Sequence, residues 1–275
     1  MNMHAFLIVF LLIVSSLFSL TTREERRARF AARSRQKVVE TLPSALDQLN
    51  GLFFFGNFGG GTLQSSDSSY TYDRQGPFEA DIHFDGRGPL DIVLQGGIGW
   101  LFYGYASLDA SYQYGKLPFS AYIYPTNGSA GTTQQGYGNA EAQLATLGAK
   151  LLLPKIFGRK EAKVIPFIGG GGGYVHKKLN PISLYDHGFE GRQDTTQKHT
   201  EGGIAYKILV GTYVFLQEHL LMNVECQYLN MGRVKAGQTF QADERGAPVG
   251  EFSFNNPLTL KLRSLTFSFG FTIVI

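Results

Sequence analysis

The sequence predicts an all-β chain, an eight-stranded antiparallel transmembrane up-and-down β-barrel preceded by an amino-terminal signal and arm segment. Three observations carry this. Beyond residue 50 the apolar residues recur with period two and never hold a helical period for three turns. In each such stretch one face is continuously apolar and aromatic, while the charged members sit among small residues on the other. The connections between stretches alternate between long polar segments and short links. Composition agrees: only 17% of the 275 residues are charged, against 34 glycines, 22 phenylalanines and 14 tyrosines. A mean hydropathy of -0.08 is too low for a bundle of spanning helices.

At the amino terminus, Ala5 to Leu20 ("AFLIVFLLIVSSLFSL") is a run of 16 residues without a charge. A spanning helix needs about 20 apolar residues and a signal-peptide core about 7–15. Residues 1–20 therefore read as a secretory signal cut near Ser19 or Leu20, with an uncleaved anchor as the competing reading. Residues 21–50 form a basic arm expected on the periplasmic side. Within 21–40 six Arg and one Lys face three Glu, which exceeds the formal +3 of the whole chain and leaves the remainder slightly negative. Nucleic acid is not an expected partner, because the folded body has no basic footprint. The single cysteine, Cys226, forms no intrachain disulfide and excludes Cys-rich metal sites.

Residues 51–275 supply eight strand segments, at 51–63, 90–100, 103–115, 139–152, 164–176, 202–213, 219–231 and 259–275. In "YASLDASYQY" Asp109 lies among Ser107, Ser111 and Gln113, opposite Leu108 and Tyr112. In "ATLGAKLLL" Lys150 lies with Thr146 and Gly148, and in "GIAYKILVG" Lys207 lies with Ala205 and Leu209. In "LMNVECQY" Glu225 lies with Asn223 and Gln227. The last segment, "SLTFSFGFTIVI", puts Phe267, Phe269, Phe271 and Ile273 on one face and Thr266, Ser268, Gly270 and Thr272 on the other. The long stretches 64–89, 116–138, 177–201 and 232–258 are expected to be surface loops, and 101–102, 153–163 and 214–218 tight turns. An even strand count closes the barrel and leaves no unpaired edge in lipid.

The run "VIPFIGGGGGYVHKK" tests this reading. A phosphate-binding loop needs a helix amino terminus after its glycines, and "YVHKKLNP" has no helical period. As a barrel strand, Phe167, Gly169, Gly171 and Gly173 point into a narrow lumen and make room for bulky neighbours, with Phe167 and Tyr174 near the two interfaces.

"PFIGGGGGY" resembles the Pro-aromatic-aliphatic-Gly-x-Gly-x-Gly-Tyr strand of the OmpA-like/opacity family of small outer-membrane barrels. "GGIGWLFYGYASLDASYQYG" is similar to that family's second hairpin, "LGAKLLLP" to its fourth strand, and "LTFSFGFTIVI" to its carboxy-terminal assembly signal. The resemblance spans 51–275. It implies residence in the bacterial outer membrane, insertion by the barrel-assembly machinery, and contact with outer-membrane lipid and lipopolysaccharide. The family usually ends in Phe or Trp, whereas this chain ends in Ile275. The family's periplasmic peptidoglycan-binding domain is expected to be absent.

No catalytic, cofactor or metal site is expected. No histidine has a serine two residues on, as a membrane deacylase would require, and Asp81, His83 and Asp85 in "DIHFD" supply one acid–histidine cluster where an omptin-type protease needs two. Asp186-His187 and His199-Glu201 lack metal spacing. The inward charges Asp109, Lys150, Lys207 and Glu225 are expected to pair and fill the lumen, with a water-lined pore as the alternative. Lys261 and Arg263, outward beyond Leu265, are the candidate lipopolysaccharide contact. The expected role is a monomeric surface structural or interaction protein, of adhesin or surface-antigen type, that meets a host or surface ligand through its loops. A narrow porin-like channel is second and an outer-membrane hydrolase third.

Overall fold

The computed structural model describes residues 49–64, 66–73, 77–86, 91–125, 134–156, 163–186, 192–217, 219–237, 239–244, 247–253 and 258–275. The expected signal and nearly all of the arm lie outside the described residues. In chain order the strands begin with β1 (Gly51–Leu63), β2 (Ser66–Asp73), β3 (Pro77–Gly86), β4 (Asp91–Phe102) and β5 (Ala106–Pro125). Next come β6 (Gln134–Leu152), a helical turn α1 (Leu153–Ile156), β7 (Val164–Leu179), β8 (Ser183–Asp186) and β9 (Arg192–Thr196). β10 (His199–Gln217), β11 (Leu220–Lys235), β12 (Thr239–Glu244), β13 (Ala247–Ser253) and β14 (Thr259–Val274) complete the chain.

Eight of these strands close a ring in the order β1-β4-β5-β6-β7-β10-β11-β14, every pairing antiparallel. β14 returns to β1 from Phe53↔Val274 to Leu63↔Ser264. The Ile275 amide donates to the Leu52 carbonyl at 2.8 Å, so the seam is bonded to the last residue. Ring closure satisfies the backbone without water, as a hydrocarbon environment demands.

Period two decides which side each residue takes. On β14 Phe267, Phe269, Phe271 and Ile273 are exposed on the outside, while Thr266, Ser268 and Thr272 are buried. Phe54 and Phe58 of β1, Ile98 and Trp100 of β4, Leu147 and Leu151 of β6, and Ile204 and Ile208 of β10 extend the same exposed apolar band. Trp100, Tyr103 and Tyr105 rim it at the tight-turn end; Tyr112, Tyr174 and Tyr206 rim the other. A closed barrel wearing such a belt with aromatic girdles spans a membrane. The chain is an outer-membrane β-barrel.

The expected surface loops differ from what forms. β5 and β6 run on past the membrane to Pro125 and from Gln134, and the hairpins β2–β3 and β12–β13 with strands β8 and β9 add to them. They build a continuous wall, β2-β3-β5-β6-β8-β9-β12-β13. The reason is apolar alternation aimed inward above the membrane: Leu117, Phe119, Ala121 and Ile123 of β5 pack with Ile82 and Phe84 of β3 and Leu184 of β8. Pro118 is tolerated because it lies between the last β4 partner, Gly115, and the first β3 partner, Phe119, where that side of β5 has no ladder.

The lumen is layered. An apolar cluster of Phe53, Phe55, Leu101, Phe167, Leu209, Tyr213 and Leu221 fills the tight-turn end. A second cluster, including Leu63, Phe84, Phe119, Leu144, Val175, Leu229 and Leu260, fills the other end and continues into the extension. Phe167 points inward as its phase predicts and packs in the cluster at the tight-turn end; Tyr174 faces out. The glycines of β7 serve close strand approach more than side-chain room. A methyl on Gly169 or Gly171 would lie 2.5 Å from the carbonyl oxygen of Ala149 or Leu147 on β6.

Candidate functional site

Between the two apolar clusters lies a buried polar layer, and all four predicted lumen charges are in it: Asp109 on β5, Lys150 on β6, Lys207 on β10 and Glu225 on β11. Lys150 reaches its place beside Gly169, its cross-strand neighbour. Its Nζ lies 3.4 Å from Glu225 Oε2 and donates to the Tyr213 hydroxyl at 3.2 Å. Three rings surround the ammonium, with centroids at 4.8 Å (Phe167), 5.4 Å (Phe55) and 5.5 Å (Tyr213). The ammonium thus rests against one carboxylate and three ring faces.

Glu225 Oε1 accepts from Asn57 Nδ2 at 3.1 Å. With the Gln95 amide oriented to satisfy its neighbours, Gln95 nitrogen also donates to Oε1 at 3.0 Å and its oxygen accepts from Lys207 Nζ at 3.3 Å. Lys207 donates to Ser111 Oγ at 3.1 Å, and Ser111 is bonded to Thr146 at 2.8 Å. Asn223 donates to Asn57 at 2.7 Å and Gln227 to Gln113 at 2.8 Å. Two basic and two acidic side chains thus share the layer, so the formal charges balance. Of the four, only Lys150 and Glu225 touch. Asp109 packs against Gly148, where a methyl would lie 3.0 Å from Oδ1, and neither of its oxygens has a hydrogen-bond donor in reach.

Sequence reasoning missed the aromatic cage and two amides, Asn57 and Gln95. Parity held the signal for Asn57: it falls in phase with Phe53 and Phe55, both inward. Phe167 is inward by its phase, but the cage joins rings from three strands, β1, β7 and β10, and no single strand shows that they meet at one ammonium.

The other candidates sit elsewhere. Lys261 and Arg263 lie on the outward face of β14, next beyond Leu265 and Phe267. Asp81, His83 and Asp85 share the outer face of β3, opposite Tyr124, Tyr122 and Ser120 of β5, on a sheet surface and not in a cleft. Asp186 ends β8, and His187 lies outside the described residues. His199 and Glu201 share one face at the start of β10. Among the described residues no group of three His, Cys, Asp or Glu is placed to hold a metal. Near the outer rim, Glu141 accepts from Asn180 at 2.9 Å and Lys178 at 3.1 Å. The Asn180 hydrogen bond, then Lys178, hold its carboxyl below the usual range.

No family model matches the chain, and no curated protein matches its sequence. Among solved structures the chain is similar, at low identity, to several outer-membrane proteins. Neisserial surface protein A is 10% identical, covering 82% of this chain and 97% of its own, with a TM-score of 0.42. The outer membrane protein OprG from Pseudomonas aeruginosa is 16% identical, covering 84% and 99%, with a TM-score of 0.47. The outer membrane protease OmpT from Escherichia coli is 11% identical, covering 86% and 99%, with a TM-score of 0.43. The barrel assignment rests on this chain's own closed ring and apolar belt.

Proposed function

We propose that this outer-membrane barrel is a non-conducting, non-enzymatic surface protein of the OmpA-like/opacity kind. Its work is adhesion or another surface interaction through the extension. The observation that carries the reading is the layered lumen: a polar layer with two basic and two acidic side chains, and apolar side chains filling the barrel on both sides of it. Ion passage would require breaking both apolar layers and the Lys150–Glu225 contact. The chain then acts as a monomer inserted by the barrel-assembly machinery, with recognition carried by the wall of β2, β3, β5, β6, β8, β9, β12 and β13. Planar-bilayer recording of the purified full chain tests this. No unitary steps are expected; reproducible steps would overturn the reading in favour of a narrow channel.

A further inference from the structure

We propose that a bulge in β11 builds a phosphate-binding patch for the anionic glycolipid of the outer leaflet, formed by Arg233, Lys235, Lys261 and Arg263. The β11–β14 register breaks between Asn230 and Arg233. Up to Met231 the odd-numbered residues of β11 face the lumen: Leu221, Asn223, Glu225, Gln227, Leu229 and Met231 are buried. Beyond the bulge the parity reverses, so that Val234 is buried and Arg233 and Lys235 are exposed. One inserted residue thus moves two cations from the lumen side to the face that carries Lys261 and Arg263.

The bulge is locked in place. Gly232 adopts a φ of 75°, a left-handed conformation that suits glycine, and its amide donates to Asn230 Oδ1 at 2.9 Å. Asn230 Nδ2 donates to the Tyr206 hydroxyl at 2.8 Å. The buried ammonium of Lys177 donates to the Arg233 carbonyl, a group the broken ladder leaves over.

The result sets Arg233 directly opposite Lys261, with Arg263 opposite Asn230. Like charges directly opposite on one sheet face repel. Among the described residues none of the four forms an ion pair, and the carboxylate on this flank, Glu201, accepts from the Lys235 backbone amide at 3.4 Å. An anion shared by the four removes the repulsion. The patch occupies the same outward face as Leu265 and Phe267, immediately beyond the hydrocarbon belt, so its occupant approaches in the membrane plane. Guanidinium pairs suit the oxygens of a phosphate monoester on a lipid headgroup.

The proposal rests on the long-strand end facing the outer leaflet and is independent of what the extension recognises. The test uses the full chain in neutral detergent micelles, where orientation plays no part, with bisphosphorylated lipid A, dephosphorylated lipid A or inorganic phosphate as probes. Bisphosphorylated lipid A is expected to bind and to raise the temperature of the heat-induced gel shift. The variant R233Q/K235Q/K261Q/R263Q should lose roughly 600-fold in affinity, at about fivefold for each of its four cations. A control variant, K116Q/K198Q, removes exposed cations outside the patch and should bind as the parent does. Equal binding by parent and quadruple variant would overturn the proposal. So would equal loss in the control, equal binding of the dephosphorylated lipid, or the same thermal shift with inorganic phosphate alone. A negative outcome leaves the non-conducting surface role standing.

Discussion

Replacing Lys150 with Met isolates the electrostatics of the lumen. The side chain is 3% exposed, and its cage of Phe55, Phe167 and Tyr213 accepts a thioether as readily as an alkyl stem, so packing is nearly conserved. What is lost is the counter-charge 3.4 Å from Glu225 Oε2 and the donor to the Tyr213 hydroxyl. Glu225 is 1% exposed, and its remaining donors, Asn57 and Gln95, are neutral amides. Removing one partner of a buried pair costs about 3–5 kcal/mol, whereas removing both charges while keeping shape costs far less. The expected outcome is therefore a loss of that order in Lys150→Met and recovery of most of it in Lys150→Met/Glu225→Gln. The assay is urea unfolding in lipid vesicles followed by the heat-dependent gel shift. A single variant within about 1 kcal/mol of the parent, below the penalty expected for a stranded buried charge, would refute the reasoning. A double variant no better than the single would do the same, because the carboxylate would then not be the stranded group.

Three more outcomes are expected. Phe269→Arg places a charge in the lipid-facing belt and should cost about 2–4 kcal/mol of insertion free energy, while its inward neighbour Ser268→Thr should refold like the parent; vesicle refolding yields decide. Gly171→Ala drives a methyl to 2.5 Å from the Leu147 carbonyl and should destabilise, whereas at Gly172→Ala the nearest atom, the Ala205 carbonyl oxygen, is 3.5 Å away and the change should be tolerated in the same unfolding assay. The Glu141 carboxyl is depressed in the folded chain, so its contribution is complete above the ordinary carboxylate pKa of about 4.3 and is lost as pH falls through its lower folded value. Protease susceptibility of the extension should rise over that acid range in the parent and lose part of its pH dependence in Glu141→Gln.

The ring was legible because a lipid-facing barrel strand must alternate, and "SLTFSFGFTIVI" and "LMNVECQY" set polar or charged residues among small ones opposite a continuously apolar face. The lumen charges were legible for the same reason, since Lys207 and Glu225 stand out of phase with their apolar neighbours. The extension was not. "PFSAYIYP" alternates as well, but its serine, tyrosines and flanking prolines resemble loop composition, and only cross-strand partners such as Ile82 and Leu184 explain its inward apolar set. The rim patch was half visible: Lys261 and Arg263 follow the phase of β14, whereas Arg233 and Lys235 fall out of phase with β11 until the bulge is known. Parity along one strand cannot report an inserted residue whose evidence lies in the partner strand.

The length of β5 and β6 sets how far the protein stands off the cell. β5 has 20 residues and β6 has 19, while crossing the bilayer takes about 9–11. On β5 the outward side chains turn from Tyr112 to the charged Lys116, and the strand continues to Pro125. At roughly 3.3 Å per residue that continuation is about 30 Å of paired backbone, enough to lift the tip clear of the headgroups and into the surrounding sugar layer even at a steep tilt. Anything that docks at that height meets a fixed ledge whose backbone is already ordered, so little freedom is surrendered on contact. Exchange of residues at the tip can then alter what is bound without lowering the platform that presents it.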